Sequence, residues 1–319
     1  MERIAVNAVM AGALPTYMPV LIAAVKVFMN PNAYFGTYEV STGSWAPCCL
    51  VNGPIRKDLH INSGSGAMSP GDRANATIGR ALGLIVKNIG GVRKGVEDMG
   101  VMGNPMKYSL VIAENEEESP WEPLHVQQGL KKGDSAVTFF FPNNLIQTLS
   151  YGPDADGILR AAAYNIPPYP GGRVCLLLTP KHAQALGKKG WTKDDISNFI
   201  SEYARAPLSH HLEYWGRYRR EKTKDDNFMS MISPSTESEP DRMLLMSSND
   251  SPDESMSILR NPGLVKTFVV GGPGGFIGML IGGSLRGAEG WVSQKIELPA
   301  NWEKLVRKYK GIVPAYPRY

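Results

Sequence analysis

Short apolar runs alternate along the chain with segments in which apolar residues recur every three or four positions. The short runs occupy residues 48–51, 108–113, 136–141, 173–178 and 267–270. Runs that are apolar on both faces are typical of strands buried on both sides. The other segments predict helices over residues 15–29, 77–91, 158–163, 180–187 and 192–203. The alternation favours an α/β fold in which a mostly parallel sheet is covered by helices, with two similar α/β halves.

Weaker patterns complete the predicted organisation. Residues 3–6 are predicted to form a first buried strand, and residues 34–40 a further strand. A boundary near residue 130 divides the chain into a first half, 1–130, and a second half, 131–319. A stretch at 221–257 is rich in Ser, Asp, Glu and Pro, which predicts a polar surface insertion or lid.

Composition narrows the class of protein. The 319 residues are 43% hydrophobic and carry a net charge of +4, with scattered basic residues, so we expect no nucleic-acid partner. Pro15 and Pro19 interrupt the uncharged stretch of residues 4–25, which disfavours a membrane anchor. The three cysteines give no disulfide framework and indicate a reducing compartment. The prediction is a cytoplasmic homo-oligomer without membrane association.

A long loop of small and hydrogen-bonding residues follows the first apolar run. Asn52-Gly53-Pro54-Ile55-Arg56 opens it, and Asn62-Ser63-Gly64-Ser65-Gly66 continues it. Glycines let backbone N–H groups approach a ligand, and the helix that follows offers the positive end of its dipole. We predict that this loop binds a small anion, with arginine forks on its carboxylate or phosphate. The predicted binding residues are Asn52, Arg56, Asn62, Ser63, Arg73 and Asn75. The alternative is an irregular connection in which Asp72 or Ser69 caps the helix.

Ligands of open α/β sheets bind beyond the carboxyl ends of the strands. The apolar runs of this chain end at five turns, which begin with Asn52, Glu114, Asn143, Thr179 and Gly271. If the strands are parallel neighbours, these turns form one rim. Asn143, Gly272 and Gly274 are therefore predicted to contribute to the same site, the glycines as an anion-binding nest.

The turn after the second run is acidic, with the sequence Glu114-Asn115-Glu116-Glu117-Glu118. Neighbouring carboxylates repel one another, so some of them must be paired, metal-bound or proton-sharing. Glu114 and Glu116 are predicted to be acid–base groups. Glu114 and His125 are also candidate ligands for a divalent metal cofactor. The alternative is an acidic helix start that faces solvent, with Trp121 as a packing anchor.

Two adjacent cysteines precede the first loop. A thiolate at Cys49 or Cys48 is a candidate nucleophile or soft metal ligand. The alternative is a pair of small core residues.

Several strings of residues carry a family resemblance. They are Ala5-Val6-Asn7-Ala8-Val9-Met10-Ala11-Gly12, Asn52-Gly53-Pro54-Ile55-Arg56, Ile61-Asn62-Ser63-Gly64, Arg73-Ala74-Asn75-Ala76-Thr77-Ile78-Gly79-Arg80 and Ala113-Glu114-Asn115-Glu116-Glu117. Together they resemble a poorly characterised bacterial family encoded beside, or fused to, proteins with a UGSC (selenocysteine or cysteine) motif. The similarity extends through Pro180-Lys181-His182-Ala183 and Gly271-Gly272-Pro273-Gly274. It implies an enzyme or enzyme subunit that is redox- or thiol-linked. This chain departs from the family at Asn143-Asn144, where a His-Asn pair is usual, and at Gly275, where a polar or basic residue is usual.

These features predict a cytoplasmic enzyme or enzyme subunit that acts on a small anionic, carboxylate-bearing metabolite. The chemistry would be carboxylate acid–base or metal-assisted. Two alternatives stay open: a substrate-binding subunit that partners a UGSC-type thiol or selenol redox protein, and a thiol enzyme that uses Cys48 or Cys49.

Overall fold

The computed structural model describes residues 1–167, 173–207, 255–259, 261–283 and 291–312. Its helices are α1 (Glu2–Met10), α2 (Met18–Phe28), α3 (Phe35–Val40), α4 (Ile55–Asp58), α5 (Arg73–Asn88), α6 (Leu124–Gln127), α7 (Ala155–Tyr164), α8 (Pro180–Lys188), α9 (Lys193–Tyr203) and α10 (Trp302–Tyr309). Its strands are β1 (Cys48–Asn52), β2 (Val111–Ala113), β3 (Ala136–Phe140), β4 (Asn144–Leu149), β5 (Arg173–Leu178), β6 (Arg205–Pro207), β7 (Ser255–Ser257), β8 (Val265–Val269), β9 (Ile277–Gly283) and β10 (Val292–Lys295).

Two four-stranded sheets contain all the described strands except the antiparallel pair β6 and β7. The first sheet has the order β10-β3-β1-β2, and the second has the order β4-β9-β5-β8. Only the pairs β1/β2 and β5/β8 are parallel among the described strands. The prediction of an α/β fold is confirmed, but the prediction of a mostly parallel sheet is wrong because both sheets are mixed.

The two sheets pack face to face, and each has helices on its other face. Along β1, Cys49 and Val51 point into a core shared with the first group of helices, whereas Cys48 and Leu50 point into the layer between the sheets. The second sheet repeats this arrangement, with Leu176 directed towards α7 and α9. The resulting order of layers is helices, sheet, sheet, helices. The strands β1, β2, β3, β5 and β8 are therefore buried on both faces whatever their direction, which explains why apolar runs suggested parallel strands.

Both sheets are built in the same way. In each, one central strand (β1 or β5) pairs in parallel with one neighbour (β2 or β8) and antiparallel with the other (β3 or β9). The fourth strand of each sheet is at its edge. β4 follows β3 along the chain but lies in the second sheet, and β10 follows β9 along the chain but lies in the first. The predicted division at residue 130 falls between β2 and β3, two strands of the same sheet.

The long periodic segments are helical as predicted, and α9 begins with the expected capping box between Thr192 and Asp195. Two predicted strands are helices instead. Residues 3–6 belong to α1, whose buried side packs on α5 while Val6 and Val9 are exposed. Residues 35–40 form α3, in which Tyr38 stacks on Phe141. Apolar side chains on both sides of these helices hid the helical period.

Two further predictions concern a polar insertion and membrane association. The insertion predicted at 221–257 lies outside the described residues, except for the β7 strand. None of the helices in the described ranges has the length and apolarity needed to cross a bilayer.

Candidate functional site

The carboxyl ends of both parallel pairs meet at one end of the molecule. Backbone hydrogen bonds join them: Asn115 N–H donates to the Val269 carbonyl at 2.7 Å, and Gly271 N–H donates to the Ser63 carbonyl at 2.8 Å. The turns that begin at Asn52, Glu114, Thr179 and Gly271 therefore lie together. Asn143 does not join them, because β3 runs antiparallel to β1 and Cys48 pairs with Phe140. Its predicted place in the rim is wrong.

Glu114 lies at the centre of this end, with a side chain that is 0% exposed. One carboxylate oxygen accepts hydrogen bonds from Asn52 Nδ2 at 2.7 Å and from Leu124 N–H at 2.9 Å. The other oxygen is 3.3 Å from Lys193 Nζ, which is 8% exposed and also donates to the Glu122 carbonyl. This is a buried ion pair whose remaining hydrogen-bonding groups are largely satisfied.

Glu116 connects the buried pair to the surface. Its Oε1 accepts hydrogen bonds from Gly53 N–H at 2.7 Å and Asn52 Nδ2 at 3.1 Å, and its Oε2 is 2.9 Å from Arg56 Nη2. The side chain is 13% exposed, so this carboxylate reaches the edge of the cluster. Asn52 thus bridges Glu114 and Glu116, while its own Oδ1 is buried without a partner among the described residues.

The Arg56 guanidinium uses all its donors within the protein. It donates through Nε to the Gly53 carbonyl, through Nη1 to the Glu114 carbonyl and Glu117, and through Nη2 to Glu116 and Glu117. A guanidinium has five N–H donors, so none is left for a ligand in this arrangement. The expectation that Arg56 binds an anion does not fit this geometry.

Glu117 closes the cluster on the solvent side. Its side chain is 44% exposed and contacts Arg56 and Lys57. Partial burial acts to raise its pKa, but hydrogen bonds from Arg56 and Lys57 outweigh that effect and lower the pKa to about 2. This carboxylate is therefore ionised at neutral pH.

The other predicted anion-binding residues hold the first loop in shape. Asn62 Nδ2 donates to Asp72 Oδ2 at 2.7 Å, and Asn75 Nδ2 donates to the carbonyls of Asn62 and Val111. The Ser63 carbonyl accepts from Gly271, as described above. Arg73 donates to the Gly12 carbonyl, next to α1, rather than towards the acidic cluster. Except for Ser63, these polar groups stabilise the loop and are not directed at the cluster.

The turn after β5 supplies a different set of groups. Thr179 precedes α8 but its side chain accepts no capping hydrogen bond, and its Oγ1 is buried without a partner among the described residues. His182, in the first turn of α8, is 2% exposed, and its Nε2 lies 2.9 Å from the Gly275 carbonyl. Burial lowers the His182 pKa and is the largest effect. The Gly275 hydrogen bond opposes it in part, and the Lys181 charge lowers the pKa by a smaller amount.

Two glycines fix how closely the loops approach one another. Gly53 has a φ of 87°, and a Cβ there would lie 2.1 Å from the Asp134 carbonyl oxygen. At Gly272 a Cβ would lie 2.0 Å from Ser65 Oγ. The lack of a side chain at Gly272 thus allows loops of the two sheets to touch, whereas a Cβ at Gly274 would meet open space.

The part of the chain that the structure describes does not provide a metal site. The residues that the structure describes contain no group of three or more His, Cys, Asp or Glu side chains able to hold a metal ion. His125 is 0% exposed, and neither ring nitrogen has a hydrogen-bond partner within the described ranges. The predicted pairing of Glu114 and His125 as metal ligands therefore lacks a third ligand of these types.

The cysteines are core residues. Cys48 and Cys49 are both 0% exposed, and burial raises the pKa of each thiol. A thiolate is unfavourable in such surroundings. The position of Cys49, between the first sheet and its helices, does not favour the thiol-enzyme alternative.

The class that the fold defines is a four-layer α/β/β/α protein with an ionic cluster at one end of its paired sheets. The chain matches no family model, no curated protein and no solved structure. The resemblance to the UGSC-associated family stays a prediction.

Sequence reasoning missed three groups at this end of the molecule: Lys193, Glu117 as a partner of Arg56, and His182. Lys193 was missed because it lies in Thr192-Lys193-Asp194-Asp195, a sequence that is fully accounted for by its role as a helix start. His182 stands three positions after Thr179, in a turn already predicted to belong to the rim. The spacing of a histidine in the first helical turn after a strand was the available signal.

Proposed function

We propose that this chain is an enzyme that acts on a small carboxylate-bearing metabolite by acid–base chemistry at the shared carboxyl end of its two sheets. The observation that carries the proposal is the burial of the Glu114–Lys193 ion pair beneath the Glu116–Arg56 pair. Two acidic and two basic side chains, each between 0% and 13% exposed, lie at the place where loops of both sheets converge.

Energetics support a functional reading of this cluster. Removing a carboxylate and an ammonium from water costs several kcal/mol per ion, and apolar replacements of buried ion pairs are often equally or more stable. Stability alone therefore gives weak reason to keep charges at positions 114 and 193. Clusters of this kind, in clefts where loops meet, are frequent at catalytic sites.

Within the cluster the groups have different tasks. Glu114 and Lys193 are anchors that orient Asn52, because Glu114 is fully buried and contacts Asn52 directly. Glu116 is the acid–base group, since it is bonded to Asn52 and still reaches the edge of the cluster. Metal-assisted chemistry is the less supported version, because the described residues offer no group of ligands for an ion.

The test begins with binding. The full chain is incubated with a panel of mono-, di- and tricarboxylates and their 2-oxo, 2-hydroxy and 2-amino derivatives, and binding is followed by calorimetry. We expect at least one saturable ligand whose carbon-bound hydrogen exchanges with deuterium in the presence of the protein. Glu116→Gln should abolish the exchange, whereas Glu118→Gln, which alters an exposed neighbour, should not.

Absence of binding across the panel would contradict the proposed function. So would full exchange in Glu116→Gln, provided that variant binds the ligand as the wild type does.

A further inference from the structure

The turn after β5 contains groups that the acidic cluster does not use. Arg56 and His182 occupy comparable places, each in the first turns of a helix that follows the central strand of its sheet and two residues after a proline. Arg56 is bonded to the loop after β2, and His182 is bonded to the loop after β8. The difference is that Arg56 has no free donor, while His182 has a nitrogen without a partner among the described residues.

The free nitrogen can be identified. The Gly275 carbonyl only accepts hydrogen bonds, so His182 Nε2 must carry the hydrogen of that 2.9 Å contact. In the neutral ring, Nδ1 then holds the lone pair. Nδ1 is buried and has no partner among the described residues. A buried polar atom without a partner calls for an explanation, such as a ligand group or an ordered water.

The surroundings of His182 suit a carboxylate. Lys181 is exposed and forms no ion pair within the described ranges, and its stem lies against Gly275. Thr179 leaves the start of α8 without a side-chain cap. A helix start with uncapped N–H groups and a lysine beside it attracts negative charge.

We propose that the substrate carboxylate is bound at the start of α8 by Lys181 and that His182, through Nδ1, is the catalytic residue that takes up the substrate proton. The proton moves from the substrate to Nδ1, which makes the ring a cation that still donates to Gly275 through Nε2. The electron pair of the broken C–H bond stays on the substrate. The ring, whose acidic hydrogen exchanges with solvent, later returns a proton to the substrate and becomes neutral again. This inference rests on the proposed function and adds a second proton-transfer group to Glu116.

His182 is 2% exposed, so a substrate or a reagent can reach Nδ1 only when the surroundings of the ring open. Diethyl pyrocarbonate, which modifies unprotonated histidine nitrogens, reports this access. His125, equally buried, is the internal control.

The experiment uses the full chain labelled with ¹⁵N-histidine, with malonate as the probe anion. Nitrogen spectra should show His182 as the tautomer protonated at Nε2, assigned by loss of its signals in His182→Gln. Carbethoxylation at His182, followed by mass spectrometry, should be several-fold faster than at His125 and should be slowed by malonate. Lys181→Met should lose the protection by malonate but keep the tautomer.

A ring protonated at Nδ1, or equal modification of His182 with and without malonate, would overturn the inference. The two proposals fail separately. If a carboxylate of the panel binds equally to the wild type, His182→Gln and Lys181→Met, the role of the α8 start is wrong and the proposed function stands. If no carboxylate binds the wild type, the proposed function itself fails.

Discussion

The turn after β1 and the turn after β5 occupy equivalent places in two sheets of the same topology, but their side chains are used differently. Arg56 is bonded to both Glu116 and Glu117, and each of its N–H donors has an acceptor inside the protein. His182 makes a single hydrogen bond, to Gly275, and keeps a nitrogen free within the described structure. The same backbone arrangement thus supports a closed ionic cluster after β1 and a buried histidine with one unpaired nitrogen, among the described residues, after β5.

The comparison separates residues that hold the site from residues that can act in it. A side chain with all its donors and acceptors occupied gives rigidity, because any movement breaks charge-assisted hydrogen bonds. A side chain with one group fixed and another free is oriented and still able to react. Variants in the first turn should therefore cost stability, whereas variants in the second should change chemistry with little loss of stability.

The largest contrast is expected between two glycines. Gly53→Ala forces a side chain onto a residue with positive φ and against the Asp134 carbonyl, so we expect a loss of about 3 kcal/mol or more in unfolding free energy. Gly275→Ala meets only the flexible stem of Lys181 and should cost less than about 1 kcal/mol. Urea denaturation measures both. Equal losses would remove the distinction between the two turns.

The buried ion pair should produce the next largest effect. Glu114→Gln leaves Lys193 without a counter-charge. It also places an amide NH2 group, which is a hydrogen-bond donor, among groups that are themselves donors. We therefore expect about 3 kcal/mol of destabilisation. The matched control is Glu118→Gln, an exposed change that should stay within about 0.5 kcal/mol. The double variant Glu114→Leu/Lys193→Met should be more stable than Glu114→Gln, because it removes both charges. A stable Glu114→Gln protein would show that Lys193 is not held by charge.

Much of the fold was predictable from local pattern. The helices at α2, α5 and α9 and the strands β1, β3, β5 and β8 follow from apolar spacing and capping signals. Strand direction was not predictable, because a strand packed between a helix layer and a second sheet is apolar on both faces in either direction. The exchange of β4 and β10 between sheets leaves no local signal either.

The candidate site was predictable in place but not in partnership. Asn52 and Glu114 lie together because β1 and β2 are parallel neighbours, as strand-end reasoning expects. The sequence could not show that Arg56 binds Glu116 and Glu117. An arginine pairs equally well with a carboxylate of the protein and with the carboxylate of a ligand. Lys193 reaches Glu114 from α9 of the other half, a contact between residues 79 positions apart in sequence.

Arg56 and His182 can be compared directly by conservative substitution. Arg56→Lys keeps the charge but loses the fork that contacts two glutamates and two carbonyls, so we expect a loss of about 2 kcal/mol. His182→Gln places an amide donor where Nε2 was and should cost about 1 kcal/mol or less. Chemical denaturation of both variants at pH 7.5 checks the order. A larger loss of stability in His182→Gln than in Arg56→Lys would mean that the turn after β5 contributes more to stability than the turn after β1.

His182 and Glu117 should also differ in the pH range over which they affect stability. The folded-state pKa of His182 lies below its usual 6.5, chiefly because of burial, so its contribution is complete above pH 6.5 and is lost as pH falls through the folded value. His182→Gln should flatten that part of the curve of unfolding free energy against pH. Glu118→Gln, the exposed control, should leave it unchanged.

The smallest effect is expected at Glu117. Its folded pKa of about 2 lies below the usual 4.5, so the stability it contributes is complete above pH 4.5 and is lost as pH falls towards 2. The side chain is 44% exposed, so solvent screening should keep this contribution below about 1 kcal/mol. Glu117→Gln should therefore be less stable than wild type at pH 6 and approach it near pH 2.5, with a smaller gap in high salt. If the gap persists unchanged at low pH, Glu117 acts by packing, and the first turn is not closed by charge on its solvent side.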